Sequence, residues 1–220
     1  MKRSDFILRH PRLFHMAADG SWPSIRERGL LSTKALVDLY DPPLEVRAEI
    51  LDHVRRHSYV LTRAGLPDAI VRDQLPLKFL SQCLLPGVTE RDFLDALNGR
   101  VFFFVDPARL SRLLNARAYR RHPQTILTLD TEGFLADHPR VELAPYNTGS
   151  VHLPTMPARG PSTYVPIDDY SYDEWLRRRG PADAIVELTV PLGAPRVARS
   201  VLQVERWSDG KPVEELYRAG

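Results

Sequence analysis

The run Arg100-Val-Phe-Phe-Phe-Val105 constrains this chain more than any other segment, because a continuous apolar, aromatic stretch of that kind suits a buried central strand. Further strands are predicted at 12–17, 125–129, 140–144, 184–190 and 201–205, so strands concentrate in the second half. A short helix follows the first strand, with Ser21 as N-cap, Pro23 early in it and Gly29 as its stop. From 33 to about 98 the pattern is helical. Leu44, Ile50, Leu51 and Val54 fall near one face, and Leu94 and Leu97 recur after a Thr89 cap. The expected architecture is one α+β domain spanning 1–220, with a helical insertion at about 34–98. Residues 145–170 carry five prolines, an Asn147-Thr148-Gly149 turn and the aromatics Tyr146, Tyr164 and Tyr170, the profile of an ordered functional loop.

A chain of 220 residues buries enough surface to fold without staples. Its one cysteine, Cys83, excludes an internal disulfide framework and fits a reducing compartment. The N-terminal apolar run, Phe6 to Leu8, is too short for a signal-peptide core, and Val101 to Val105 falls far below the roughly 18 residues of a membrane span. A soluble, cytoplasmic protein without membrane contact is expected. Net charge is only +2, but 26 of the 30 basic residues are arginine, clustered at Arg120-Arg121 and Arg177-Arg178-Arg179. Arginine suits bidentate phosphate binding; a GC-rich genome that codes arginine in place of lysine is the competing explanation.

Several chemistries are excluded by motif. Neither a Gly-x-Gly-x-x-Gly turn nor a Gly-Lys-Ser/Thr loop is present, and there is no Gly-x-Ser-x-Gly elbow. His53 and His57 stand four apart on a predicted helix, yet Val54 occupies the place of a metalloprotease glutamate, and no metal is expected. Cys83 lies in an apolar context that raises a thiol's pKa and suits a core filler. Two polar residues interrupt apolar strands: His15 in Leu13-Phe14-His15-Met16, and Glu187 in Ala184-Ile-Val-Glu-Leu-Thr-Val190. A carboxylate there is costly to bury unless paired or hydrogen-bonded. Alternation offers Glu187 a route to solvent, and a hydrogen-bonded structural role is open to His15.

The opening Leu13-Phe-His-Met-Ala17, the helix through Trp22-Pro-Ser-Ile25 and Arg28-Gly-Leu-Leu-Ser32 together resemble the first motif of ADP-ribosyltransferases, in particular bacterial DNA-modifying toxins of the DarT type. Arg100-Val-Phe-Phe-Phe-Val-Asp-Pro107 resembles their aromatic strand, Ala144-Pro-Tyr-Asn-Thr-Gly-Ser150 the segment before their substrate loop, and Ala184-Ile-Val-Glu-Leu-Thr-Val-Pro191 the strand bearing their glutamate. The landmarks occur in order but each is short, and the helical stretch 44–98 departs from the toxin pattern. The chain is also similar to uncharacterised bacterial proteins sharing Arg72-Asp-Gln74 and Leu97-Asn-Gly-Arg-Val-Phe-Phe-Phe104.

The resemblance implies a split, mainly antiparallel core and an NAD-dependent transfer of ADP-ribose to a macromolecular acceptor, nucleic acid or protein, without a metal. It implies Glu187 and His15 as catalytic residues, with Glu187 holding the 2′-hydroxyl of the nicotinamide ribose and His15 a hydroxyl of the adenosine half. Met16, Ser32, Phe103, Tyr119 and Arg72 are then the candidate NAD contacts, with the stacking ring that of Tyr119 or, instead, of Phe103 or Phe104. The loop residues Asn147, Arg159 and Tyr164 become acceptor contacts, Arg159 for a phosphate and Tyr164 for a base. A cap or salt bridge accounts for Arg72 equally well. The alternatives are a non-catalytic nucleotide-binding or partner-binding module on the same scaffold, and an RNA 2′-phosphotransferase-like enzyme.

Overall fold

The computed structural model describes residues 1–117 and 119–220. In chain order its strands are β1 (Arg12–Ala18), β2 (Leu30–Leu31), β3 (Tyr59–Leu61), β4 (Ala69–Val71), β5 (Arg100–Phe104), β6 (Gln124–Asp130), β7 (Glu142–Ala144), β8 (Val165–Pro166), β9 (Glu187–Pro191), β10 (Gly193–Ala194), β11 (Val201–Ser208) and β12 (Lys211–Arg218). The helices are α1 (Arg3–Arg9), α2 (Trp22–Arg28), α3 (Thr33–Tyr40), α4 (Leu44–Asp52), α5 (Glu90–Asn98), α6 (Pro107–Leu114), α7 (Thr131–Asp137) and α8 (Tyr172–Arg179). The class is α+β.

Eight strands make one antiparallel sheet in the order β12-β11-β6-β1-β5-β9-β7-β8; β10 pairs with β2, and β3 with β4, in two small ladders. β1 pairs with β6 from Arg12 to Ala18, but it meets β5 at one register pair, Phe14 opposite Phe104. The sheet thus consists of two four-stranded halves joined at a single row.

The aromatic run forms β5 because both of its faces are covered. Phe103 points into the main core with Leu13, Leu127, Leu129, Leu188 and Phe134. On the other face Phe104 joins Phe14, Met16 and Ile126 under Leu110 and Leu114 of α6, while Phe102 packs on Phe93, Leu94 and Leu97 of α5. Side-chain caps set the helices. Thr89 and Asp92 form a capping box before α5, Asp106 caps α6 with Pro107 behind it, and the Ser32 hydroxyl caps α3.

Three expectations are corrected. The 33–98 region is not wholly helical: α3, α4 and α5 enclose the β3–β4 hairpin, which packs Leu61 and Val71 against Val37, Tyr40 and Ile50. α4 ends at Asp52, so Val54 and both histidines lie beyond it, and Leu44 is exposed. Strand β9 begins at Glu187; Ala184, Ile185 and Val186 are buried ahead of it. β12, a charged edge strand, was absent from the sequence-based expectation.

Candidate active site

Glu187 is the first residue of β9, flanked by Phe104 of β5 on one side and Ala144 of β7 on the other. Its side chain is 4% exposed. One carboxylate oxygen, Oε2, accepts from the backbone N–H of Thr148 at 3.0 Å and from the Thr148 hydroxyl at 2.8 Å. Oε1 meets no donor among the described residues and retains some contact with solvent. Burial drives the carboxyl pKa up to about 7, against the pull of the Thr148 bonds and of the charges on Arg159 and Arg109. The group sits poised between charged and neutral near neutral pH, as a general acid or base requires.

His15 lies one residue past the Phe14–Phe104 row, where β1 parts from β5. Its Nδ1 is 2.8 Å from the Phe102 carbonyl, so this nitrogen carries the proton and donates to an edge that no backbone partner fills. Burial, and to a lesser degree the Arg72 charge, lower its pKa to about 4 against the opposing pull of the Phe102 bond. The ring is neutral at physiological pH, and Nε2 is an acceptor without a donor among the described residues.

Two strand spacings separate β1 from β9, roughly 10 Å. Phe14, Phe104 and Glu187 share a row and hence a face, whereas alternation sends His15 the other way, against the Phe103 ring at 5.5 Å. The two side chains therefore lie on opposite faces of the sheet, at the rows where β1 parts from β5. Two surface cavities, of about 570 and 470 Å³, lie elsewhere, around Tyr170 with α8 and around Trp22.

The other candidates divide. Arg72 is half-buried, follows β4, and donates to Gln124 Oε1 with its guanidinium 5.6 Å from the Tyr119 ring centre. Met16 lies against α6 beside Phe104. Asn147 lends its carbonyl to Arg159.

Phe103 is sealed in the core and offers no stacking surface; half-buried Phe102 and Phe104 face the other side. Ser32 spends its hydroxyl on the α3 cap. Arg159 is fully buried, not displayed for a phosphate: its guanidinium donates to the carbonyls of Asn147, Ser150 and Pro157 and covers the Tyr146 ring at 4.1 Å, pinning the proline-rich loop. Tyr164 is likewise buried beneath Arg100, with its ring against Phe102, so it presents no face to a base.

Thr148, which holds Glu187, was not singled out in the sequence beyond its place in a turn, and Arg109, which bonds Asp183 and bears on Glu187, was not singled out at all. Among the described residues no group of three or more His, Cys, Asp or Glu side chains is placed to hold a metal, and no helix is long and apolar enough to cross a membrane. Cys83 is buried and points its thiol at the carbonyls of Leu153 and Pro154. No curated protein matches the sequence. A family model does match residues 11–201, and the chain belongs to that family, a family of unknown function (DUF7002).

Proposed function

We propose that the protein is an NAD-dependent ADP-ribosyltransferase with Glu187 at its reacting centre. The observation that carries this reading is the carboxylate itself: buried mid-sheet, anchored through one oxygen by Thr148, with the other oxygen left free. Such an oxygen suits a hydroxyl of a ligand rather than a structural partner, since a purely structural carboxylate at this depth would use both. The neutral His15, held by Phe102 with Nε2 free where the half-sheets part, adds a second acceptor for a sugar hydroxyl.

In this reading NAD spans the parting of β1 and β5. The bond between nicotinamide and C1 of its ribose breaks, nicotinamide leaves as the neutral base, and positive charge develops on the sugar. An ionised Glu187, positioned in advance beside the 2′-hydroxyl, stabilises that charge. The acceptor's lone pair then bonds C1 and its proton passes to a base, a role open to Glu187 itself.

Incubation with labelled NAD and protein, DNA or RNA acceptors tests this. Wild type is expected to release nicotinamide, and Glu187→Ala and His15→Ala to lose that release, the former by 100-fold or more. Absence of NAD binding, NAD loss and label transfer in wild type across all three acceptors would sink the enzyme reading.

A further inference from the structure

The stretch from Pro107 to Leu129 holds Arg109, Arg112, Arg117, Arg120 and Arg121, and no aspartate or glutamate. Arg109 turns inward to Asp183. The other four are exposed, and among the described residues none of them forms an ion pair; Arg112 reaches only the Ala108 carbonyl of its own helix. Exposed arginines on other elements commonly meet acids, as Arg12 meets Asp130, Arg91 meets Asp52, Arg178 meets Glu174 and Arg218 meets Glu215. A genomic preference for arginine codons accounts for arginine in place of lysine. It does not account for cations gathered without acids.

These cations stand on one compact knob. After α6 the chain closes in successive turns, the Tyr119 N–H bonding to the Ala116 carbonyl and the His122 N–H to the Tyr119 carbonyl, before β6 begins at Gln124. The half-buried Tyr119 ring anchors the knob on its inner side, beside the Arg72 guanidinium. Gly210 of the β11–β12 turn closes against it, so tightly that a Cβ there would sit 2.6 Å from Asn115 Oδ1, and exposed Lys211 follows that glycine. Two acids border the knob, Asp209 in the same turn and Asp73, which is engaged by Ser58 and the Leu75 N–H. The cations outnumber them. Among the described residues from Pro107 to Pro123 no large apolar side chain is exposed. A protein interface is built around an apolar or aromatic centre, and a membrane-bound surface inserts apolar groups. Surfaces that meet nucleic acid are more polar and more positively charged, and the planar fork of arginine meets two phosphate oxygens. We propose that the knob of Arg112, Arg117, Arg120 and Arg121 binds the phosphate backbone of a nucleic acid, independent of its sequence. The surface is separate from the 145–170 loop, whose Arg159 and Tyr164 are buried. It goes beyond the transferase reading and does not rest on it, since it requires no NAD.

Fluorescence anisotropy of labelled single-stranded and duplex DNA and RNA of mixed sequence, titrated with the full chain in the absence of NAD, tests the surface. Wild type is expected to bind one or more of these, more weakly as salt rises. Arg120→Gln combined with Arg121→Gln should weaken that binding by about 10-fold or more and reduce the slope of log affinity against log salt by roughly two, one for each cation removed, at unchanged melting temperature. The single variants give the same comparison, at roughly one unit of slope each, should the double variant lose stability. Arg196→Gln combined with Arg199→Gln removes two exposed arginines that already face Asp137, and controls for arginine content. That pair should leave affinity and slope nearly unchanged. No nucleic-acid binding by wild type, an equal loss in the control pair, or unchanged affinity in Arg120→Gln with Arg121→Gln overturns the proposal. Equally tight binding, through the same arginines, to phosphatidylserine vesicles or to polyglutamate overturns it too, by giving the surface to a membrane or to an acidic protein. The two readings fail separately. Nucleic-acid binding without nicotinamide release removes the transferase and keeps the surface; nicotinamide release by a chain that binds no nucleic acid does the reverse.

Discussion

Burial favours the neutral forms of Glu187 and His15, and the consequences for stability run in opposite directions with pH. For Glu187 the folded pKa, about 7, lies above the ordinary 4.5, so its favourable contribution is complete below pH 4.5 and is lost as pH rises through 7. A shift of that size corresponds to about 3 kcal/mol at most. Glu187→Gln keeps an oxygen for both Thr148 donors and removes the charge. Its melting temperature should therefore exceed that of wild type by several degrees at pH 8 and by little at pH 5, while nicotinamide release by wild type rises with pH through 7. Equal melting temperatures at pH 8 would show that the carboxylate is not desolvated. For His15, depressed to about 4 from 6.5, stability is present above 6.5 and declines as pH falls toward 4. Both residues were legible in the sequence, since each interrupts an apolar strand. Thr148 was not, because its contact with Glu187 spans 39 positions and exists only once β7 lies beside β9. Arg159 was misread for a related reason: a sequence shows an arginine in a loop, not the three carbonyls that close around it.

Elements were legible where local chemistry alone decided them. The stop of α2 at Gly29 follows from the backbone: φ is +80° and ψ −175°, a conformation essentially confined to glycine, and a Cβ would sit 2.5 Å from the Ala194 carbonyl oxygen. The close approach lets β2 pair with β10 immediately afterward. Gly29→Ala should cost roughly 3 kcal/mol, from strain and backbone collision together, and is read by urea denaturation; a loss under 1 kcal/mol would mean that β10 can move away. The β3–β4 hairpin escaped notice because three-residue strands carry too little period to compete with the helical pattern on either side. β12 escaped because an edge strand with Lys211, Glu214, Glu215 and Arg218 lacks the apolar alternation of a strand with one face in the core. The aromatic run of β5 was readable because burial on both faces leaves a continuous apolar signature.

The two half-sheets share one row of pairing, yet the main core does not divide there. Leu13, Leu127 and Leu129 come from one half and Phe103, Leu188 and Val190 from the other, in a single cluster. Phe103 is the link: its ring lies 4.7 Å from Phe134 of α7, the helix that follows β6, and 5.5 Å from His15 on β1. The residue expected to stack on nicotinamide instead ties the halves together from behind, while the opposite face lies beneath α5 and α6. Removing that ring should cost about 3–5 kcal/mol, the usual range for a fully buried phenylalanine. Because the core is continuous, the loss should fall on the whole molecule, so that Phe103→Ala unfolds in one transition at lower denaturant, with far-ultraviolet and near-ultraviolet circular dichroism coincident. Two separated transitions would mean that each half-sheet is stable alone and that the core does not bridge the parting. A single early transition would place the resistance to opening in the side chains beneath the sheet, where Phe103, Phe134 and the leucines of both halves meet.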